Sequence, residues 1–525
     1  MESKKKLHIL FTIVAGLLFC LSCNTEISQN IQKTGRIPEI DPDYSYVTIP
    51  PNIAPMNFII KEDGNSFKII ATGGTSGHQI KIRSSDGIIR FPEKSWRKLI
   101  KDSQGDKITI QVYSSNRDKK ILDEYEPFYM YVSNESIDPY LTYRLIHPGY
   151  YSWSHIKIVQ RSIESFEEES LFDNQIMEKN CVNCHSFNSN SADRFLIHIR
   201  GSRGGTYFIE NGTITRTDPK IDAMPGGATY PSWHPDGRYV AFSSNQVRQS
   251  FYSIPKKSIE VFDLVSSLIL YDRKKNEIIS ITDKDTIKYL QTFPSWSSDG
   301  KYLYFCRAVQ YISGSNPEME QIKKTHYDLA RKSFDPESRS FGETEIVFNA
   351  AGINKSASFP RISPDGKYLI FTLADYGTFP IWHREADLYI LDLQTGSTDK
   401  MKINSEETES YHTWSVNGRW MVFSSRRVDG RSGRPYFAHI DSAGNQGKEF
   451  ILPQRDPALY NRMLESFNIP EFVDGRIKVR PRDFEYASRQ EALKARSGNP
   501  SDTLQLQPSI KSDTRLKENE RPIHQ

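Results

Sequence analysis

Pro231-Ser232-Trp233-His234-Pro235-Asp236-Gly237-Arg238-Tyr239-Val240-Ala241-Phe242 is the stretch that decides the fold. A short strand runs into a Pro-Asp-Gly turn and out into an apolar strand. This is hairpin chemistry, because proline presets φ, aspartate bonds its own turn and glycine accepts the left-handed position. The text returns as Pro294-Ser295-Trp296-Ser297-Ser298-Asp299-Gly300-Lys301-Tyr302-Leu303-Tyr304-Phe305. It returns again as Pro360-Arg361-Ile362-Ser363-Pro364-Asp365-Gly366-Lys367-Tyr368-Leu369-Ile370-Phe371. A fourth copy, with Asn-Gly in the turn, is Thr413-Trp414-Ser415-Val416-Asn417-Gly418-Arg419-Trp420-Met421-Val422-Phe423. More strand text follows each hairpin, such as Asp387-Leu388-Tyr389-Ile390-Leu391-Asp392-Leu393. Four strands per repeat, repeated in series, predict a β-propeller.

The turn glycines stand 63, 66 and 52 residues apart, against about 40–45 for a plain blade, so loops carry insertions. Residues 193–218 supply strands for one more blade. That makes five, and C-terminal strand text such as Arg476-Ile477-Lys478-Val479 would close a sixth. The repeats resemble the TolB-type, WD40-like propeller repeat over about residues 190–455, whose core reads Trp-Ser-Pro-Asp-Gly before a basic residue and an apolar strand. Upstream, Val47-Thr48-Ile49, Phe58-Ile59-Ile60, Phe67-Lys68-Ile69-Ile70, Ile80-Lys81-Ile82, Ile108-Thr109-Ile110-Gln111-Val112 and Phe128-Tyr129-Met130-Tyr131-Val132 alternate with turn residues. Short strands at this spacing predict an immunoglobulin-like β-sandwich over residues 46–160. The fold class is therefore all-β. A connector over 161–192 leads into the propeller over 193–490, and 491–525, rich in Ser, Asn, Pro and charge, reads as a disordered tail.

Cys181-Val182-Asn183-Cys184-His185 is the C-x-x-C-H pattern of covalent haem c attachment. Two thiols so spaced reach the two vinyl groups on one porphyrin edge, and the adjacent imidazole ligates iron. No second cysteine pair exists to complete a zinc tetrahedron. Three side chains are candidates for the sixth iron ligand. His234 stands where the other repeats have Ser297, Ser363 and Ser415. His198 lies on the strand Phe195–Arg200, and Met224 precedes Pro225-Gly226-Gly227. Arg200 and Arg203 could pair with haem propionates. Gly201-Ser202-Arg203-Gly204-Gly205 lacks the Lys-Ser/Thr of a phosphate loop and reads as a turn. Cys306 aligns with Ser243, Thr372 and Ser424 and reads as a small core thiol.

At the N-terminus Lys4-Lys5-Lys6 precede an apolar run from Leu7 to Leu21, and Leu21-Ser22-Cys23 resembles a lipobox. Residues 1–22 are then a lipoprotein signal peptide, Cys23 the lipidation site and 23–45 a tether. The resemblance implies a cell-envelope location, with the lipid in the outer membrane and the protein on its periplasmic face. The chain of 525 residues carries a formal charge of +3, too small to argue for nucleic acid. Five cysteines exclude a disulfide scaffold. There is no G-x-S-x-G elbow, H-E-x-x-H or Walker loop.

Ile137–Ile146, Cys181–Phe187, Tyr230–Asn245, Ser424–Arg427 and Asn468–Phe472 together look like an envelope family. Its members join an N-terminal β domain, one C-x-x-C-H and a TolB-like propeller. The resemblance implies a lipid-anchored monohaem cytochrome c, carrying electrons or docking a protein partner through the propeller. Two alternatives stay open: a non-redox binding module for a protein or glycan with structural haem, and a haem enzyme with an open iron site. Oligomeric state is not legible.

Overall fold

The computed structural model describes residues 30–498 except for the short stretches 75–76, 116–120, 148–153, 255–256, 282–286, 313 and 315–316. The expected signal peptide, Cys23 and the first part of the tether lie outside the described residues, as does the chain beyond 498. Among the described residues no helix is long and apolar enough to cross a membrane.

Six antiparallel sheets form the propeller. From the inside outward, blade 1 consists of Ser466–Val473, Tyr140–Ile146, Ile156–Ser162 and Glu168–Asp173. Blade 2 consists of Cys181–Phe187, Arg194–Arg200, Gly205–Glu210 and Thr213–Asp218. Blades 3 to 6 begin with the inner strands Ala228–Trp233, Tyr289–Trp296, Ser356–Ile362 and Glu409–Trp414. Each inner strand contacts the next, and Ser466–Val473 touches both Glu409–Trp414 and Cys181–Phe187, so the ring is closed. Closure comes from the late strand Ser466–Val473 pairing with Tyr140–Ile146. This corrects the expectation that Arg476–Val479 would do it.

The repeat turns act as expected. Gly237, Gly300, Gly366 and Gly418 all have φ between +66° and +72°, where an L side chain is strained. Ser297, Ser363 and Ser415 each accept a hydrogen bond from the backbone of the following strand, at 3.0, 2.9 and 3.0 Å. The repeat tryptophans tie blades together. Trp233 donates to Ser186 O at 3.1 Å in blade 2, and Trp414 donates to Arg361 O at 3.2 Å in blade 5.

Two domain boundaries move. Residue 160 falls inside a blade, because Tyr140–Ile146 pairs with a strand more than three hundred residues away and Ile156–Ser162 pairs with Tyr140–Ile146 in the same sheet. The stretch 161–192 is no connector either, since it supplies the outer strand of blade 1 and the inner strand of blade 2. Local pattern cannot tell a sandwich strand from a blade strand when the partner is so remote. In the stretch expected as tail, Leu493–Lys494 and Arg496–Ser497 add parallel edge strands to blades 2 and 3.

The N-terminal domain holds a seven-stranded and a three-stranded sheet. Ser66–Gly73 and Lys107–Ser115 alternate buried and exposed residues over most of their length, as strands with one core face must. A helix absent from the strand-only expectation, Glu93–Asp102, buries Trp96, Leu99 and Ile100. Their i, i+3, i+4 spacing is one helical face. Its core is continuous with blades 6 and 1 through Trp420, Val422, Phe437, Phe467 and Phe472. The two domains therefore share one apolar interior.

Candidate functional site

Every inner strand slips register once along its length. At the slip, Tyr230, Phe293, Phe359, Tyr411 and Ile469 adopt φ between +48° and +56°. Five bulky residues in this rare conformation, at matching places, are held there by the flanking ladders. The bulges turn these side chains toward the axis. Tyr230, Phe293, Phe359 and Tyr411 follow one another with ring centroids 4.4, 4.5 and 4.9 Å apart. They wall a central cavity of about 140 Å³.

The C-x-x-C-H segment enters this cavity as a strand. Cys181 pairs with Arg200 and Cys184 with His198, with a slip between Val182 and Cys184. Arg200 and His198 are two apart, so they share a face, and the extra residue in the slip puts both thiols on that face too. Neither thiol is in a disulfide. His185 pairs with Ile197 and takes the opposite face. It is 2% exposed and lines the cavity with Cys184. Neither of its ring nitrogens completes a hydrogen bond. Burial, reinforced by the Arg144 charge, lowers the imidazole to about 3, so it is neutral. Burial likewise raises the Cys184 thiol.

The expected sixth ligands part company. His198 stays beside Cys184 across the ladder, buried, with Nδ1 and Thr206 Oγ1 sharing a hydrogen bond of 3.0 Å. His234 does not line the cavity. Its Nδ1 accepts from Asp236 N at 3.3 Å, its Nε2 lies 3.0 Å from Gly300 O, and its ring packs on Trp296 at 4.8 Å. It serves the turn as serine does elsewhere and adds a tie to blade 4, which corrects its reading as an iron ligand. Met224 is corrected as well, since it is buried in the core between blades 2 and 3 with Leu196, Phe208 and Trp233. Arg203 is committed to Glu178 at 2.7 Å, whereas Arg200 remains exposed at the cavity rim. Cys306 lies fully buried in the core shared by blades 4 and 5.

Closure brings in residues that sequence reasoning did not single out as site residues. Arg144, Arg361, Arg426, His412 and Glu471 line the same cavity from blades 1, 5 and 6. Arg144 donates to Val182 O at 3.1 Å, bracing the motif strand. Burial raises the Glu471 carboxyl to about 8 despite Arg361 nearby, so it is uncharged at neutral pH. Burial also lowers His412 to about 3; its Nε2 bonds Ile370 O at 2.9 Å. A signal for some of these was present: Arg144, Arg426 and Glu471 sit in the segments that carried the family resemblance.

One side of the cavity is roofed by a hairpin of blade 3 whose strands, Tyr239–Ile254 and Lys257–Asp272, run sixteen residues each, against a usual length of about five or six. Val247, Ile259 and Val261 from this hairpin line the cavity together with Ile381 and Trp382 from blade 5.

As a donor set, the unbridged Cys184 thiol and the buried neutral His185 imidazole meet at the cavity as covalent haem needs, while Cys181 packs on the core of blades 1 and 2 and does not line it. Among the described residues no group of three or more His, Cys, Asp or Glu side chains could hold a bare metal ion, whereas haem brings its own equatorial ligands. The volume fits less well. About 140 Å³ is below the roughly 300 Å³ at which cofactor sites begin, so a porphyrin requires the cavity wall to open.

No protein-family model and no curated protein sequence matches the chain. Solved structures resemble it in fold alone. A hypothetical selenium-binding protein from Sulfolobus tokodaii is 8% identical, with TM-score 0.41, covering 65% of this chain and 95% of its own. An auxiliary nutrient binding protein from Bacteroides thetaiotaomicron is 12% identical, with TM-score 0.32, covering 77% and 98%. Prolyl oligopeptidase B from Galerina marginata is 11% identical, with TM-score 0.35, covering 65% of this chain. The chain spans only 43% of that oligopeptidase's length.

Proposed function

We propose that this protein is a lipid-anchored c-type haem protein of the cell envelope, in which a propeller channel rather than a separate cytochrome domain carries the haem. The observation that carries the reading is His185: a buried, neutral imidazole lining the cavity, with no side-chain partner and only the Ile469 backbone beside it, directly after the two thiols. In this reading Cys181 and Cys184 would hold the cofactor covalently and His185 would supply its protein nitrogen ligand. Haem c, when bound, supplies one-electron transfer. Arg144 holds the motif strand through Val182 O, and exposed Arg200, opposite Cys181, would be available to a carboxylate of the group. Of the three expected sixth ligands, only His198 stays next to the motif, paired with Cys184, although it too is absent from the cavity lining. Cys23 would carry lipid and hold the protein at the outer membrane, and the propeller's outer surface would dock a protein partner.

The test is expression in a host with a haem c maturation system. Haem that stays on the denatured chain supports the reading, as does its loss in a Cys181→Ser, Cys184→Ser double variant. His185→Ala should keep covalent haem but change the visible spectrum. A colourless wild-type protein from that host overturns the proposal.

A further inference from the structure

The cavity is lined by the guanidinium groups of Arg361 and Arg426, which, among the described residues, form no ion pair with a carboxylate. Arg426 is 5% exposed; it donates from Nε to Ile381 O at 2.6 Å, bonds Arg431 O, and lies 3.4 Å above the Trp382 ring. Arg361 donates to Pro360 O at 3.1 Å. Among the described residues neither guanidinium has a carboxylate within ion-pair distance, and both line the cavity. Burial lowers Arg426 only to about 9, so it is charged at neutral pH. Glu471, the acid facing Arg361, is held neutral by burial, and its Oε2 has no partner. A buried, unbalanced charge is costly, and a ligand anion relieves that cost.

The cavity's shape and lining specify the rest of the ligand. Four aromatic rings form a continuous wall with neighbouring centroids 4.4 to 4.9 Å apart. The volume, about 140 Å³, is close to the ~150 Å³ of an apolar cavity that accepts benzene.

We propose that the channel binds a small aromatic carboxylate, its anionic end paired with Arg361 and its ring laid against Phe293, Phe359 and Tyr411. Arginine suits that end because its planar fork matches a carboxylate. The inference does not rest on haem attachment; it concerns the haem-free chain, since haem held by Cys184 and His185 would occupy the same cavity.

The test is calorimetric titration of the haem-free wild-type chain, made in a host without haem maturation, with benzoate, benzamide and inorganic phosphate. Benzoate should bind about tenfold or more tighter than benzamide, and phosphate more weakly than benzoate. Arg361→Gln should weaken benzoate about tenfold and leave benzamide unchanged. Should that variant fail to fold by circular dichroism, Arg361→Lys, which keeps the charge without the fork, should show a smaller loss. No benzoate binding, equal affinity for benzoate and benzamide, phosphate binding as tight as benzoate, or unchanged affinity in a folded Arg361 variant overturns the proposal. A failed haem stain leaves this titration untouched, so the two readings fail separately.

Discussion

Replacing His383 with glutamine should strip the protein of a pH-dependent brace. His383 follows the short turn Pro380–Trp382, and its Nε2 lies 3.1 and 3.2 Å from the two carboxylate oxygens of Glu260. The side chains are 2% and 1% exposed. Glu260 sits on the long blade 3 hairpin between Ile259 and Val261, which line the cavity, as Ile381 and Trp382 do from blade 5. The pair therefore pins the roofing hairpin to the opposite wall. Lys257 and Tyr376 add bonds to the same carboxylate at 2.9 and 3.3 Å.

Burial by itself would lower the His383 imidazole. Hydrogen bonds and charge from Glu260 and Glu385 outweigh burial and raise it to about 9 from 6.5. A raised folded-state value means stability that is fully present below pH 6.5 and lost as pH climbs through 9. A shift of this size corresponds to about 3 kcal/mol, consistent with the about 3–5 kcal/mol lost when a buried pair is broken. For a chain of this length that is roughly 3 °C in Tm. Scanning calorimetry of wild type and His383→Gln from pH 6 to 10 reads it directly. The variant should melt roughly 3 °C lower at pH 6, and the gap should close by pH 10. Subtracting the two curves removes groups common to both, including Glu471. A gap that is absent at pH 6, or constant across the range, refutes the assignment.

Three further outcomes follow from the fold. His234→Ser, which restores the serine of the other repeats, should leave any haem spectrum unchanged while costing about 1–2 kcal/mol for the lost tie to Gly300 O; a changed spectrum would reinstate it as a ligand. Trp420→Ala should cost about 3–5 kcal/mol by cavity formation, because the ring is fully buried in the core common to both domains and donates to Glu135 O at 3.1 Å; denaturation midpoints check this. Ending the chain after residue 465 removes the closing strand and should abolish soluble expression. Ending it after 489 removes the edge pairs of Leu493–Lys494 and Arg496–Ser497, with the Arg496–Glu277 ion pair, and should shift Tm by no more than about 1–2 °C.

The repeat was legible because its information is local. A Pro-Asp-Gly turn between apolar strands needs no distant partner to be recognised, and four copies sufficed to name a propeller. The identity of the closing strand was not legible. Ser466–Val473 and Arg476–Val479 are both short apolar runs, and only pairing with Tyr140–Ile146 separates them. His234 misled for a related reason. Replacement of serine by histidine was visible, but the carbonyl of Gly300 that employs the second nitrogen belongs to the next blade.

By itself the sequence determined the blade hairpins, their turn glycines and the thiol–thiol–imidazole order of Cys181, Cys184 and His185, because each depends on chemistry within a dozen residues. Only the tertiary structure decided the blade number, the shared interior of the two domains and the membership of the channel. Arg144, Arg361, Arg426 and Glu471 meet at one cavity although as many as 327 residues separate them in the chain. Ring closure brings them together, and ring closure depends on the pairing of Tyr140–Ile146 with Ser466–Val473, which no local pattern encodes.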